Sequence, residues 1–212
     1  MLLSTVIREF LEDAAPVMFE GNGYSAEWLE EAPRRGLTPV TNVPTAFQAF
    51  RKPESVQLFT ETGVLSPTEI DARVEVQEET YVKKLQIEAR VLGDVCLNHV
   101  LPAAVTYQDI LIKSIQGCKE IFGEEYKQLC KADIETYRKI AGYINALSED
   151  TQALVNARKK ANRMADMTQR ALSYSTEVME QMVKVRDSAD NLEMLVDDAL
   201  WPLPKYRELL FF

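Results

Sequence analysis

The feature that most constrains the fold of this chain is an apolar periodicity of three and four residues, which begins near Ser66 and continues to Ala199. Ser66, Pro67 and Glu69 supply the N-cap hydroxyl, first-turn proline and glutamate of a capping box at its start. Helices of about 30 residues extend ~45 Å, and each buries a single apolar face only by packing beside others. The sequence therefore predicts an all-α fold, a long antiparallel helical bundle.

Three long helices are predicted from this pattern. The apolar face of the first is Val82, Leu85, Ala89, Leu92, Cys96, His99 and Ala103, widened by Ile87, Val91 and Val95. The pattern continues beyond Pro102, so we expect this proline to kink the helix and not to end it. The second helix begins near Glu124, and the third runs from about Asp166 to Ala199. The predicted apolar face of the third is Ala171, Tyr174, Val178, Met182, Val185, Ala189, Leu192, Val196 and Ala199. The bundle thus has three to four long helices, one of them kinked.

Residues 1–65 have a different character, because prolines and glycines divide them into short segments. Helices are predicted over Leu2–Ala14, from the N-cap Ser25 to about Arg35, and around residues 45–50 and 54–60. Residues 17–19 are predicted to be a short strand or an extended buried segment. The chain therefore divides into residues 1–65, short helices and loops, and residues 66–212, the long-helix bundle with an aromatic tail.

The formal net charge of −9 and the sequence pI near 4.8 disfavour binding to nucleic acid and to anionic membranes. We find no uninterrupted apolar stretch of about 20 residues, as a membrane span requires. Cys96, Cys118 and Cys130 have no disulfide or metal-binding spacing and are interpreted as reduced and buried in a cytoplasmic protein. The amphipathic start lacks the features of a signal peptide and suggests a chain that begins within a longer one.

Residues that carry chemistry are few. His99 is the single histidine, and with Cys96 it suggests half a metal site, but a hydrogen-bonded core histidine is the favoured interpretation. The basic residues 158–160 are read as a solvated helix face. Glu193, Asp197 and Asp198 lack the loop geometry of a calcium site and are read as exposed or facing a partner. We therefore predict no catalytic, cofactor-binding or metal-binding residue.

The tail after residue 199 concentrates aromatic residues and prolines in a segment too short to form its own core. It folds back on the bundle or covers another subunit, and the sequence leaves these two alternatives open. Trp, Tyr and Arg are the residues that most often anchor interfaces. The candidate interface residues are Trp201, Tyr206, Arg207, Phe211 and Phe212.

Several segments resemble the C-terminal region of type III glutamine synthetases, which are bacterial glutamate–ammonia ligases. The segments are residues 22–28, 34–37, 63–66, 81–90, 101–104 and 195–211, the last reading LVDDALWPLPKYRELLF. The resemblance covers essentially the whole chain. It implies that the full-length enzyme uses ATP with Mg²⁺ or Mn²⁺ and that the catalytic domain is absent from this chain. Residues 1–65 are then a remnant or linker that follows the catalytic domain, and no catalytic residue can be carried over.

The resemblance also implies partners: the rest of the parent enzyme and other subunits of a homo-oligomer, since these enzymes form stacked rings. The first hypothesis is therefore a structural and assembly module that is not catalytic by itself. The alternative is an independent helical adaptor that binds a partner helix in a groove. A third, a metal-dependent bundle enzyme, rests only on Cys96, His99 and scattered carboxylates.

Overall fold

The computed structural model describes residues 3–210, with the side chains of residues 206 and 207 left out. Every regular element in this range is helical, which confirms the all-α fold class. The first part contains four short helices: α1 (Leu3–Ala14), α2 (Ala26–Arg34), α3 (Val43–Gln48) and α4 (Pro53–Glu61). Short 3-10 turns follow α1 and α3, at Ala15–Val17 and Ala49–Arg51.

Most of the predicted short helices are present, but the predicted buried segment at residues 17–19 is wrong. Ser25 caps α2 by accepting a hydrogen bond from the Trp28 amide, and Gly36 ends this helix with a φ of 76°. Val17 instead lies in the 3-10 turn and is 62% exposed. Pro16 at the start of this turn favours the tight helical geometry over an extended strand.

The main element is one continuous helical rod made of α5 (Pro67–Val95), a π-helical turn (Cys96–Val100) and α6 (Leu101–Phe122). The predicted capping box begins it. The Ser66 hydroxyl accepts from the Glu69 amide, and the Glu69 carboxylate accepts from the Ser66 amide at 2.8 Å. This hydrogen bond lowers the pKa of the Glu69 carboxyl below its usual 4.5. Gly123, with a φ of 58°, ends the rod.

Replacing Ser66 with alanine is expected to lower the free energy of unfolding by about 1 kcal/mol, because the first turn of α5 loses its hydroxyl acceptor. Urea denaturation followed by circular dichroism measures this loss. Ser114→Ala, at an exposed position inside α6, is the matched control and should change stability by less than about 0.5 kcal/mol. Equal effects of the two substitutions would contradict the capping role.

Pro102 does not end the rod, as predicted, and the irregularity lies just before it. The Leu101 amide donates to the Cys96 carbonyl five residues earlier, which is the hydrogen bond of a π turn. A proline has no amide hydrogen and its ring crowds the carbonyl four residues before it, so a wider turn at this point relieves the clash.

The remaining helices return along the rod. After a 3-10 turn at Gly123–Glu125 come α7 (Tyr126–Leu129), α8 (Lys131–Asn162), α9 (Met167–Ser173), a second π turn (Tyr174–Val178) and α10 (Met179–Glu193). The second long helix thus starts at Lys131, later than the predicted Glu124. The third begins as predicted, with the Asp166 side chain accepting from the Gln169 amide at 2.7 Å. A last short helix, α11, covers Tyr206–Leu209.

The helices run alternately up and down. Gln108 of α6 donates to the Tyr137 carbonyl of α8, and Gly93 of α5 packs near Thr151 of the same helix. Residue numbers therefore rise along the rod as they fall along α8, and the two are antiparallel. The Ser188 hydroxyl of α10 donates to Asp150 of α8, which fixes the second antiparallel pair.

A single apolar core lies between the rod, α8, α9 and α10. The predicted face of the third helix is buried nearly as expected, apart from the exposed Ala199 at its end. The core residues are Val82, Leu85, Ala89, Cys96, Val100, Ala104, Leu111, Ile140, Leu147, Leu154, Ala161, Ala171, Tyr174, Val178, Val185, Leu192 and Val196. Two positions predicted to widen the first face are exposed instead: Ile87 at 63% and Val91 at 54%.

Within residues 3–210, one helical run meets the length and composition criteria of a membrane span. It covers Pro67–Leu129, and its 18-residue window has a mean hydropathy of 1.2 and is 22% buried. A single run of this kind is weak evidence of a membrane span, because long helices of water-soluble bundles meet the same criteria. The absence of a membrane partner remains a prediction.

Candidate functional site

The C-terminal tail begins earlier than predicted, since α10 ends at Glu193 and not near Ala199. The Asp197 carboxylate accepts a hydrogen bond from the Ala199 amide at 2.8 Å, two residues later. Such a bond stabilises a turn and competes with helical hydrogen bonding. The chain therefore turns back at this aspartate, and the segment that follows runs against the bundle.

Trp201, the first candidate interface residue, packs within its own chain. Its half-buried ring packs against the apolar core, as do the side chains of Leu195 and Leu200. Its indole Nε1 is buried without a hydrogen-bond partner in residues 3–210. Trp201 thus folds back on the bundle of its own chain, and its role as an interface residue stays a prediction.

Lys205 fixes the tail to the end of α10. Its ammonium group donates to the Glu193 carbonyl at 3.1 Å and forms an ion pair with Asp198. The last carbonyls of a helix lack intrahelical donors and carry partial negative charge, so a lysine here stabilises the helix end. The Glu193 carbonyl and the Asp198 carboxylate thus take part in anchoring the tail.

The other candidate interface residues are placed only in part. Tyr206 and Arg207 lie in the first turn of α11, but their side chains fall outside the described part of the chain. Phe211 and Phe212 lie outside residues 3–210 altogether. Their role in an interface stays a prediction.

The structure separates Cys96 from His99 and corrects the core-histidine interpretation. Cys96 is 1% exposed, and burial raises its pKa to about 11. His99 is exposed. The π turn adds one residue to the helical repeat here, so Val100 and Ala104 occupy the core positions predicted for His99 and Ala103.

No group of three or more His, Cys, Asp or Glu side chains within residues 3–210 is arranged to hold a metal ion. The basic residues 158–160 lie at the end of α8, where Lys160 forms an ion pair with Glu177 at 2.8 Å. Lys159 and Lys160 are exposed, in agreement with a solvated helix face.

A buried carboxylate missed by the sequence interpretation joins the short helices to the bundle. Glu78 of α5 is 1% exposed and accepts from Gln48 Nε2 at 2.6 Å and from Thr168 Oγ1 at 3.2 Å. The guanidinium of Arg51 lies 3.6 Å from the same carboxylate. Because these partners come from separate helices, this cluster holds α3, α5 and α9 together.

Two exposed apolar surfaces were also not predicted. The first, the α5–α10 groove, has a volume of about 680 Å³ and is lined by Leu85, Ile87, Glu88, Val91, Leu92, Val95, Met179, Met182, Val183 and Arg186. The second, the hairpin tip, consists of residues 105–139, where α6 turns through α7 into the start of α8. Ile87, Val91 and Val95 of the groove were predicted from the sequence to widen a buried helix face.

The hairpin tip is formed mainly by two helices. α6 packs against α8, whereas α10 packs against α8 and α5. Large side chains at the tip are consequently uncovered: Ile121 is 75% exposed, Leu129 is 58% exposed and Phe122 is 50% exposed. Exposed apolar residues clustered in one place commonly mark a binding surface.

Comparison with known proteins agrees with the resemblance seen in the sequence. The family profile described as the glutamine synthetase C-terminal domain matches residues 2–119. A glutamine synthetase of Bacteroides fragilis is 40% identical over 207 residues, and the match covers 97% of this chain and 28% of that protein. A type-3 glutamine synthetase of Dictyostelium discoideum is 32% identical over 208 residues, with the same two coverages.

A glutamine synthetase of Butyrivibrio fibrisolvens is 29% identical over 206 residues, covering 97% of this chain and 29% of its own length. The chain thus spans somewhat over a quarter of the length of the curated relatives that it matches. The family profile covers more than half of the chain, including α1 to α5 and most of α6. This chain therefore belongs to the family of glutamine synthetase C-terminal domains.

Proposed function

We propose that this chain is the C-terminal helical module of a type III glutamine synthetase and that its role is assembly of the enzyme. The name of the Dictyostelium discoideum relative, a type-3 glutamine synthetase, supports the assignment to type III. The match covers 28% of that protein, which supports the view that this chain is one module of a longer enzyme. In this proposal the full-length enzyme joins glutamate and ammonia using ATP and Mg²⁺ or Mn²⁺, which bind outside this chain. A cytoplasmic location belongs to the same proposal.

The observation that carries the assembly role is the exposed apolar surface of the hairpin tip. An antiparallel pair of helices buries only the facing half of each apolar surface, so a second pair can cover the remainder as a four-helix bundle. Ile121, Phe122 and Leu129 lie where the two helices of the tip meet the turn. We infer that the tip of a second copy covers them.

The charge of the hairpin tip favours contact between copies. Its six acidic residues are Asp109, Glu120, Glu124, Glu125, Asp133 and Glu135, and its six basic residues are Lys113, Lys119, Lys127, Lys131, Arg138 and Lys139. The formal charge of the tip is therefore zero, whereas the whole chain carries −9. Two tips thus approach without the repulsion that two other faces of the chain would experience.

Substituting Ile121 with glutamate is expected to weaken self-association at least about tenfold, because it places a charge in the apolar contact. Light scattering or sedimentation over a concentration series measures the dissociation constant. The matched control is Val91→Glu in the α5–α10 groove, which is also exposed and should leave association unchanged. A chain that stays monomeric at all concentrations would overturn the role of the tip.

The α5–α10 groove favours the alternative of a helical adaptor. Its lining is mostly apolar, as in grooves that receive one face of an amphipathic helix. The same pair of variants separates the two functions: loss of association with Val91→Glu, and not with Ile121→Glu, would favour the groove. Glutamine formation by the purified chain from glutamate, ammonia and ATP would overturn the proposal that it is not catalytic.

A further inference from the structure

The apolar side of α1 is left uncovered by the described part of the chain. Leu3, Val6, Ile7, Phe10 and Leu11 lie within a sector of about 140°, since each helical residue advances by about 100°. Leu3 is 76% exposed, Phe10 is 72% exposed and Leu11 is 51% exposed. α1 packs mainly against the 3-10 turn that follows it. These five side chains, the α1 face, are therefore available to a partner.

A helix as short as α1 needs such a partner. Isolated helices shorter than about 12–15 residues are marginal in water, and most helical stability in proteins comes from packing of the apolar face. α1 has 12 residues, and none of them is buried. The helix is thus stabilised fully only when another surface covers its apolar side.

The segment after α1 holds the helix in a defined direction. Arg35, which follows α2, donates to the Ala15 carbonyl at 3.4 Å and to the Met18 carbonyl. Phe19 packs on Trp28 of α2, with the two ring centres 4.6 Å apart. A hollow that continues the α1 face is lined by Leu11, Ala15, Met18, Glu20 and Arg35. α1 and α2 therefore present one preformed surface.

The charge of α1 disfavours a membrane as the covering surface. Its charged residues are Arg8 and three carboxylates, Glu9, Glu12 and Asp13, which give a formal charge of −2. Helices that lie on membranes usually carry lysine and arginine on their polar side, and anionic lipids repel carboxylates. A protein surface matches this helix better.

The comparisons indicate which protein surface this is. The match covers 28% of the Bacteroides fragilis enzyme, and the family is described as a C-terminal domain, so most of such an enzyme precedes the matched region. The family profile begins at residue 2, directly before α1. α1 is thus the element nearest in sequence to the rest of the enzyme, and attachment through the chain raises the effective concentration of the two surfaces.

We propose that the α1 face docks on the part of a type III glutamine synthetase that precedes this module and so fixes the module to the catalytic part. The inference rests on the proposed function, because it needs a longer enzyme, but it does not depend on the hairpin tip. The receiving surface has an apolar floor for Ile7 and Phe10. It carries basic residues near Glu9 and Asp13, which border the α1 face on the Val6 side.

Hydrogen exchange of the purified 212-residue chain and of the full-length enzyme that contains it tests the docking. Amides of residues 7–14 should exchange at least about 100-fold more slowly in the full-length enzyme, whereas those of α8 should exchange alike in both. Fast exchange of α1 in both proteins would overturn the proposal. Slow exchange of α1 in the isolated chain would also overturn it, because its own chain or a second copy would then cover the face.

Phe10→Gln and Glu12→Gln are matched variants, since they place glutamine on opposite sides of α1. In the full-length enzyme, Phe10→Gln should speed exchange of residues 7–14 at least about tenfold, and Glu12→Gln should leave it unchanged. Neither should shift the thermal midpoint of the isolated chain by more than about 1 °C, because neither residue is buried. Equal exchange in the two variants would contradict docking through the apolar side.

The outcomes separate this inference from the proposed function. A full-length enzyme that forms glutamine and assembles through the hairpin tip, but in which α1 exchanges fast, would remove only the docking of α1. Slow exchange of α1 in an enzyme whose assembly is unaffected by Ile121→Glu would remove only the assembly role of the tip.

Discussion

Leu147→Ala is expected to lower the free energy of unfolding by about 3–5 kcal/mol, the largest loss among the changes considered for this protein. Leu147 is 0% exposed and lies in the middle of α8, which packs against both the rod and α10. Removing its branched end leaves a cavity between helices that cannot move together freely. Chemical denaturation followed by circular dichroism measures the loss, and the thermal midpoint should fall by about 10 °C.

Leu58→Ala provides the matched control for this substitution. Leu58 is also a helical leucine, in α4, but it is 59% exposed. The same removal of atoms should therefore change stability by less than about 0.5 kcal/mol. Similar losses at both positions would mean that α8 does not lie at the centre of the core.

Glu78→Ala is expected to destabilise the chain by about 2–3 kcal/mol, because Gln48 and Thr168 lose a charged acceptor and Arg51 loses its buried partner. Solvent screening reduces the contribution of the Arg51–Glu78 ion pair to stability, since the Arg51 side chain is 31% exposed. Hydrogen exchange should accelerate in residues 43–61 more than in α8, because the cluster attaches those residues to the bundle.

The neighbouring Glu79→Ala is the control for this second prediction. Glu79 is 47% exposed, and its ion pair within residues 3–210 is with Lys83, one helical turn later. Such surface pairs contribute about 0.5 kcal/mol or less. Unchanged exchange in residues 43–61 of Glu78→Ala would show that other contacts hold these helices in place.

Structural features that depend on residues close together in sequence were predicted correctly. Ser66, Pro67 and Glu69 form a capping box because hydrogen bonds between neighbours in sequence determine it. The buried face of the third helix was also predicted, from Ala171 through Val178 to Val196. Its apolar residues stay at spacings of three and four across the π turn at Tyr174–Val178, so the same residues remain buried.

Features that depend on a change of helical repeat were not predictable in this way. The apolar face of the first long helix was extended along the sequence with one constant helical repeat, which placed His99 in the core. The π turn at Cys96–Val100 broke that period and turned the histidine to solvent. Pro102 was the visible signal, but a kink and a π turn both accommodate a proline, and the sequence does not distinguish them.

The candidate site was predicted only in part, for a related reason. Trp201 was predicted to be an interface residue, and its described contacts are with its own chain; a contact within the chain and a contact between chains use the same residue types. The Glu78 cluster joins residues distant in sequence, which no local pattern reveals. Ile121 and Phe122 offered a signal, since they interrupt a polar turn beside Gly123.

The π turn at Cys96–Val100 also sets the direction in which the hairpin tip presents its apolar residues. Each residue of an α-helix adds a rotation of about 100°, so loss of one residue from this turn would swing α6 by that angle about the rod axis. The half of the rod inside the bundle would keep its orientation. Natural variants that differ by one residue here would thus have to pack a different face of α6 against α8, and would aim their tips at differently placed neighbours.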